Sequence, residues 1–313
     1  RRQLQTVMTR RAPEFLSSRA VAGFTLVEMV VTILIMGILG ATLAAFITRP
    51  VEGYRDLARR TALVDAAESA LRRMQRDIRI ALPNSVRVTN LGGGGFALEM
   101  LPTQDGGKFR EGVAAPVCER LRFDAADMDY DILGGFHNIT PGVYTNYRMV
   151  INNRGTPGNN AYEGSASVIT PLGTTVTITR PASAAACAGN AVNDHVNLSV
   201  GHQYGGSAAL NRRIYVITTP VTYLCTPSAS DPAAGTLIRY EAYAITVSQP
   251  TNPAAAPLAT ATSAVITNQV SACSVITSTV DVRNRSLVTL TLDLAEEGEQ
   301  IRLINQTQLN NSR

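Results

Sequence analysis

Near its start the chain carries an unbroken apolar run, Phe24 to Ile47, in which only Glu28 is charged. A helix rises about 1.5 Å per residue, so this run reaches about 36 Å and exceeds a bilayer hydrocarbon core of about 30 Å. The length points to a membrane-crossing helix. It also exceeds the apolar core of a secretory signal, about 7–15 residues. The residues that follow, Phe46-Ile47-Thr48-Arg49-Pro50, are bulky and then charged, so no small-x-small cleavage site is offered. A carboxylate inside such a helix is costly, and Glu28 therefore needs a reason.

The whole formal net charge of +4 lies ahead of the apolar run, where Arg1, Arg2, Arg10, Arg11 and Arg19 face only Glu14. That is the pattern of a cytoplasmic N-terminus with an exported remainder. The rest of the chain is neutral. It has no cationic surplus to neutralise phosphates, so bulk charge gives no argument for nucleic-acid binding.

The hexapeptide Gly23-Phe24-Thr25-Leu26-Val27-Glu28, behind a basic leader and at the head of an apolar helix, resembles the processing signal of type IV prepilins and type II secretion pseudopilins. The resemblance implies that residues 1–23 are a leader removed after Gly23 by prepilin peptidase, with methylation of the new amine on Phe24. It also implies that Glu28, the fifth residue of the mature chain, pairs with the Phe24 amine of a neighbouring subunit. A buried pair of that kind adds little net stability but enforces register, because a slipped subunit leaves a charge unpaired among apolar groups.

The helical pattern continues past the membrane segment. Leu57, Val64, Ala67, Leu71, Met74, Ile78 and Ala81 recur at a spacing of three to four or its multiples, with charged residues between them. Pro83 disfavours helix at Leu82 and ends the element, and Pro50 is expected to kink or locally melt it. Beyond Pro83 the pattern turns to strands and turns. "NSVRVTN", "FALEML", "CERLRF", "SVIT", "TTVTITR", "RRIYVITTPVTYLC", "GTLIRYEAYAITV", "SLVTLTLDL" and "EQIRLINQTQL" read as strands, with "LGGGGF" as a turn. Long Ala/Pro/Ser/Asn loops lie at 181–193, 226–235 and 249–261. The fold class expected is α+β and type IV pilin-like: a long N-terminal helix, its inner half transmembrane, packed on an antiparallel sheet domain with long loops. The segments are 1–23 leader, 24–48 membrane and assembly helix, 49–82 amphipathic continuation, and 83–313 periplasmic β-rich domain.

Arg49–Thr89 resembles most the O-type minor pilins of mannose-sensitive haemagglutinin pili, and the C-terminal third does so more loosely. The paired stretches "VTYLC" and "GTLIRYEAY" are similar to the late hairpin of minor pilins. This implies an inner-membrane protein with its domain in the periplasm, later at the pilus tip. Its partners would be other minor pilins, the major pilin, prepilin peptidase and the inner-membrane assembly platform. A minor pseudopilin of the same architecture, or a tip adhesin or DNA-capturing module, are the alternatives.

Candidate chemistry is sparse. The four cysteines, Cys118, Cys187, Cys225 and Cys273, form no CxxC pair, so disulfides in an oxidising compartment are expected rather than zinc. Three pairings are open; the shorter loops favour Cys118–Cys187 and Cys225–Cys273. Asp124, Asp127, Asp129 and Asp131 alternate as at the start of a calcium loop, with Asp127, Asp129 and Asp131 as candidate ligands. Ile132 stands where that loop needs Gly and no Glu follows in place, so a solvated acidic loop is expected instead. Tyr144, Tyr147, Arg148 and Arg154 form a basic-aromatic stretch of the kind that binds single strands, or an ordinary sheet surface. His137, His195 and His202 sit in no catalytic motif, and neither enzymatic activity nor a cofactor is expected.

Overall fold

The computed structural model describes residues 23–111, 119–164, 167–180, 193–205, 212–279 and 286–309. The chain divides into two compact units, 1–55 and 56–313. Helix α1 spans Leu26–Arg79. From Leu26 to Ile47 its side chains are mostly apolar and exposed, among them Leu26, Val30, Ile33, Met36, Leu39, Leu43 and Phe46. This part of the helix is long and apolar enough to cross a membrane. Of the kink or local melting expected at Pro50, the melting does not occur: helix α1 runs on through it. A proline there removes one N–H bond, and the turns on either side keep theirs.

In the second unit the same helix becomes one-sided. Leu63, Ala67, Ala70, Leu71, Met74 and Ile78 are buried, while Arg72, Arg73, Arg76 and Arg79 are exposed on the opposite side. The helix stops at Arg79, three residues short of the expected end at Leu82. There the chain pairs with a strand instead: the Leu82 amide donates to Leu101 O (2.7 Å) and the Thr103 amide to Ile80 O (2.8 Å).

Fifteen strands follow among the described residues: β1 Arg87–Asn90, β2 Phe96–Met100, β3 Thr103–Phe109, β4 Asp127–Leu133, β5 Gly142–Tyr144, β6 Arg148–Val150, β7 Val176–Thr179 and β8 Asp194–His202. Then come β9 Arg213–Ile217, β10 Val221–Thr226, β11 Thr236–Glu241, β12 Thr262–Asn268, β13 Val270–Thr279, β14 Ser286–Glu296 and β15 Glu299–Leu309. They form three antiparallel sheets of order β1-β2-β10-β11-β12, β13-β14-β15 and β5-β7-β8-β4-β3-β9-β6. The expected hairpin is present as β10–β11, with Cys225 opposite Leu237.

The buried face of α1 packs into one apolar cluster with the first two sheets, including Phe96, Leu98, Met100 and Tyr223 from one and Val275, Val288, Leu290 and Leu292 from the other. Each such Leu, Ile or Met contributes about 1.5–3 kcal/mol on burial. A polar clamp sits inside this contact. Asp77, on the helix, accepts from Tyr223 Oη (2.8 Å) and Arg239 Nε (2.9 Å) on β10 and β11. The seven-stranded sheet has its own cluster, with Phe109, Tyr130, Ile132, Val196, Ile214 and Val216. At the start of its β8, buried Asp194 accepts from Arg180 Nε (2.6 Å) and from the Phe136 amide (2.7 Å).

Several elements differ from expectation. "CERLRF" and "SVIT" form no strand: the Leu121 amide bonds Arg110 O, and Ile169 makes only an isolated bridge to Val150. "RRIYVITTPVTYLC" is two strands, β9 and β10, in different sheets, broken before Val221 at Pro220, which has no amide to donate to a ladder. The acidic stretch 127–133 is not a loop but strand β4, inside the largest sheet.

Candidate processing and assembly segment

Gly23 and Phe24 precede the helix, and the Phe24 side chain is 73% exposed. A Cβ built on Gly23 meets nothing within 4 Å. The backbone at Gly23 is thus uncrowded. Thr25 caps the helix: its Oγ1 accepts from the Glu28 amide at 3.2 Å, and its carbonyl accepts from Met29 N–H at 3.2 Å. Glu28 lies in the first helical turn, where the helix dipole favours a carboxylate. Its side chain is exposed and has no ion-pair partner among the described residues. Thr25-Leu26-Val27-Glu28 has the T-x-x-E spacing of a capping box, a signal in the sequence that the reading of Glu28 as a register charge passed over. One residue thus meets two needs, favouring the helix start and presenting a negative charge four residues from Phe24.

Cys225 on β10 and Cys273 on β13 form a disulfide with Cα atoms 6.8 Å apart. It ties the five-stranded sheet to the three-stranded one beneath the helix. The second expected pair, Cys118–Cys187, lies outside the described residues.

The aspartates are spread along the seven-stranded sheet and its approach. Asp124 pairs with Arg122 at 3.3 Å. Asp127, buried, accepts from the Arg122 amide at 2.7 Å, and its burial pushes its carboxyl above the usual range. Asp131, buried four residues further along β4, faces His195 Nδ1 at 3.1 Å and Arg110 at 3.6 Å. Asp129 is half-buried between them. The solvated acidic loop is thus corrected: two of the three candidate ligands point into ion pairs and backbone bonds. Among the described residues no group of three or more His, Cys, Asp or Glu side chains is placed to hold a metal.

The basic-aromatic stretch does not present a binding face. Arg148 is buried and its guanidinium donates to Thr170 O (2.8 Å) and Gly164 O (2.9 Å). Tyr144 and Tyr147 stack on each other, with ring centres 4.1 Å apart, against the core of the sheet. Only Arg154 of the four is exposed.

Residues 18–44 match the family model of the prokaryotic N-terminal methylation motif. No curated protein and no solved structure matches the chain. The motif indicates a type IV pilin or pseudopilin, the antiparallel sheets are consistent with that fold, and the apolar helix behind the motif fits a membrane anchor. The methylation motif falls on the segment built above, and Gly23, Phe24 and Glu28 lie within it.

Proposed function

We propose that this chain is a minor type IV pilin of the mannose-sensitive haemagglutinin type. It is cleaved after Gly23 and methylated on Phe24, and it joins other minor pilins in a complex that primes pilus assembly and forms the tip. It stands in the inner membrane with a cytoplasmic leader and a periplasmic domain until the assembly platform draws it into the fibre beside the major pilin. Glu28 and the Phe24 amine of the adjacent subunit set the register. The observation that supports this most is the position of Glu28: an exposed charge in the first turn of an otherwise apolar, exposed helix, inside the methylation motif. A domain of this size, with long loops, is bulky for a subunit repeated along a shaft, which favours a low-abundance role. The same segment would serve a minor pseudopilin of a type II secretion system.

The test is mass spectrometry of the protein from its native membrane, with a Glu28→Ala strain scored for surface pili. The expected result is a mature chain beginning at methylated Phe24, with Glu28→Ala still processed but pili lost or sparse. A wild-type chain that keeps residues 1–23 would refute the proposal. A processed chain that supports secretion of exported enzymes but no pili would assign it to the secretion machine.

A further inference from the structure

Asp105 and Gly106 form the one Asp-Gly pair in the chain. They lie on β3, beside the register shift between Thr103 and Asp105. Bonded and non-bonded pairs alternate along an antiparallel ladder. The Phe109 amide donates to Arg212 O at 3.0 Å, so Gly107–Ile214 and Asp105–Val216 are the bonded pairs with β9, and Gly106–Tyr215 is not. The Gly106 N–H therefore faces away from β9. On its other side β4 ends at Leu133, opposite Lys108, before it reaches Gly106. The amide turns instead to the side chain before it and donates to Asp105 Oδ1 at 2.7 Å. Cγ is one covalent bond from that oxygen, which brings nitrogen and carbon close to a near-attack separation of about 3–3.5 Å. The carboxylate is held in this pose from its far side, because Oδ2 accepts from the Asn138 amide at 2.5 Å. Gly106 is exposed and has no Cβ to shield its nitrogen; a Cβ there would stand 3.2 Å from Tyr215 Cδ1.

We infer that Asp105 is a site of self-modification, where the folded chain isomerises its own backbone through a succinimide. The Gly106 nitrogen bonds to Asp105 Cγ and gives up its proton. One carboxylate oxygen leaves Cγ as water, taking that proton and one from solvent. Water then opens the five-membered ring. Attack at Cγ returns aspartate, and attack at the Asp105 backbone carbonyl leaves isoaspartate; either opening releases one proton. The whole sequence needs no reagent but water and changes no mass. In the isoaspartyl form the Asp105 Cβ has entered the backbone of β3 and the former backbone carbonyl has become the free carboxylate. The Asn138 amide then loses its acceptor. This inference is independent of the assembly reading.

The test is to age the full chain in detergent, in warm neutral buffer made with heavy-oxygen water, and to follow the tryptic peptide 88–108. Asp105 is the only aspartate in that peptide. Electron-transfer fragmentation separates isoaspartate from aspartate and locates the heavy oxygen that ring opening leaves behind. The expected result is isoaspartate and heavy oxygen at residue 105, formed at least as fast as in the free synthetic peptide 88–108. Gly106→Ala should slow both at least tenfold. Asp105→Glu, which leaves Gly106 and its contact with Tyr215 untouched, should abolish them, because its ring would need six members. A folded chain that isomerises more slowly than the free peptide overturns the inference, since the strand then protects the bond. Uptake reduced less than tenfold by Gly106→Ala, or persisting in Asp105→Glu, overturns it too.

Discussion

The Cys225–Cys273 bridge allows a stability change to be worked from its position. The two residues are 48 apart in sequence. Closing a loop of that size removes about 14 cal/mol/K of entropy from the unfolded chain, which is about 4 kcal/mol at 25 °C. Replacing both cysteines with alanine should therefore destabilise the exported unit by about 4 kcal/mol. For a unit of this size about 2–4 °C is lost per kcal/mol, so the melting temperature should fall by about 8–16 °C. Alanine is the right replacement because Cys225 and Cys273 are buried in the apolar cluster under α1, where a serine hydroxyl would need a partner. The assay is thermal and urea unfolding of the full chain in detergent, followed by tyrosine emission, since the chain has no tryptophan. The entropic mechanism also requires the denaturant slope to rise, because the uncrosslinked chain expands further on unfolding. A fall of under about 3 °C with an unchanged slope would refute it. The link between the two sheets would then rest on packing alone.

Two further outcomes follow from the polar groups inside the fold. Asp77→Ala strips Arg239 of its helix partner and leaves it Glu241 alone while the guanidinium stays mostly covered, 11% exposed, and should cost about 2 kcal/mol of unfolding free energy in urea. Adding Arg239→Met should recover part of that loss, and no recovery would show that the clamp does not act through the charge. Glu99 is wholly buried, and desolvation raises its carboxyl above 4.5 despite Arg87 (2.7 Å) and Tyr243 (3.0 Å). The folded state therefore keeps a proton that the unfolded state releases. Stability from that proton is full below the ordinary value of 4.5 and is lost as pH rises through the folded one. Urea midpoints of Glu99→Gln should fall less steeply with rising pH across that window than those of the parent, and parallel profiles would contradict the assignment.

The long N-terminal helix could be read from a local signal, because an apolar run of membrane length needs no tertiary context. The one-sided continuation of α1 was legible for the same reason: Leu71, Met74 and Ile78 declare a buried stripe whatever they pack against. The β region was not. The eight residues of "IYVITTPV" read as one strand, yet Ile214 and Val221 belong to different sheets, a division set by partners far away in sequence. β4 was hidden because Asp127, Asp129 and Asp131 lower its strand propensity. Their cost is met by Arg122, His195 and Arg110, which sequence order does not bring together. Arg148 misled in the opposite sense, since a charge beside tyrosines suggests a surface and only the fold places it under Thr170.

The Arg180–Asp194 pair has a consequence for how this chain can change. Arg180 follows β7 and Asp194 opens β8, so the pair joins the two ends of the segment 181–192 at its root. The strands it connects keep their register, Thr179 opposite His195, through bonds that involve none of those residues. The root of this connection is therefore fixed by Arg180, Asp194 and the β7–β8 ladder themselves, and losing either charge would loosen the ends of both strands together.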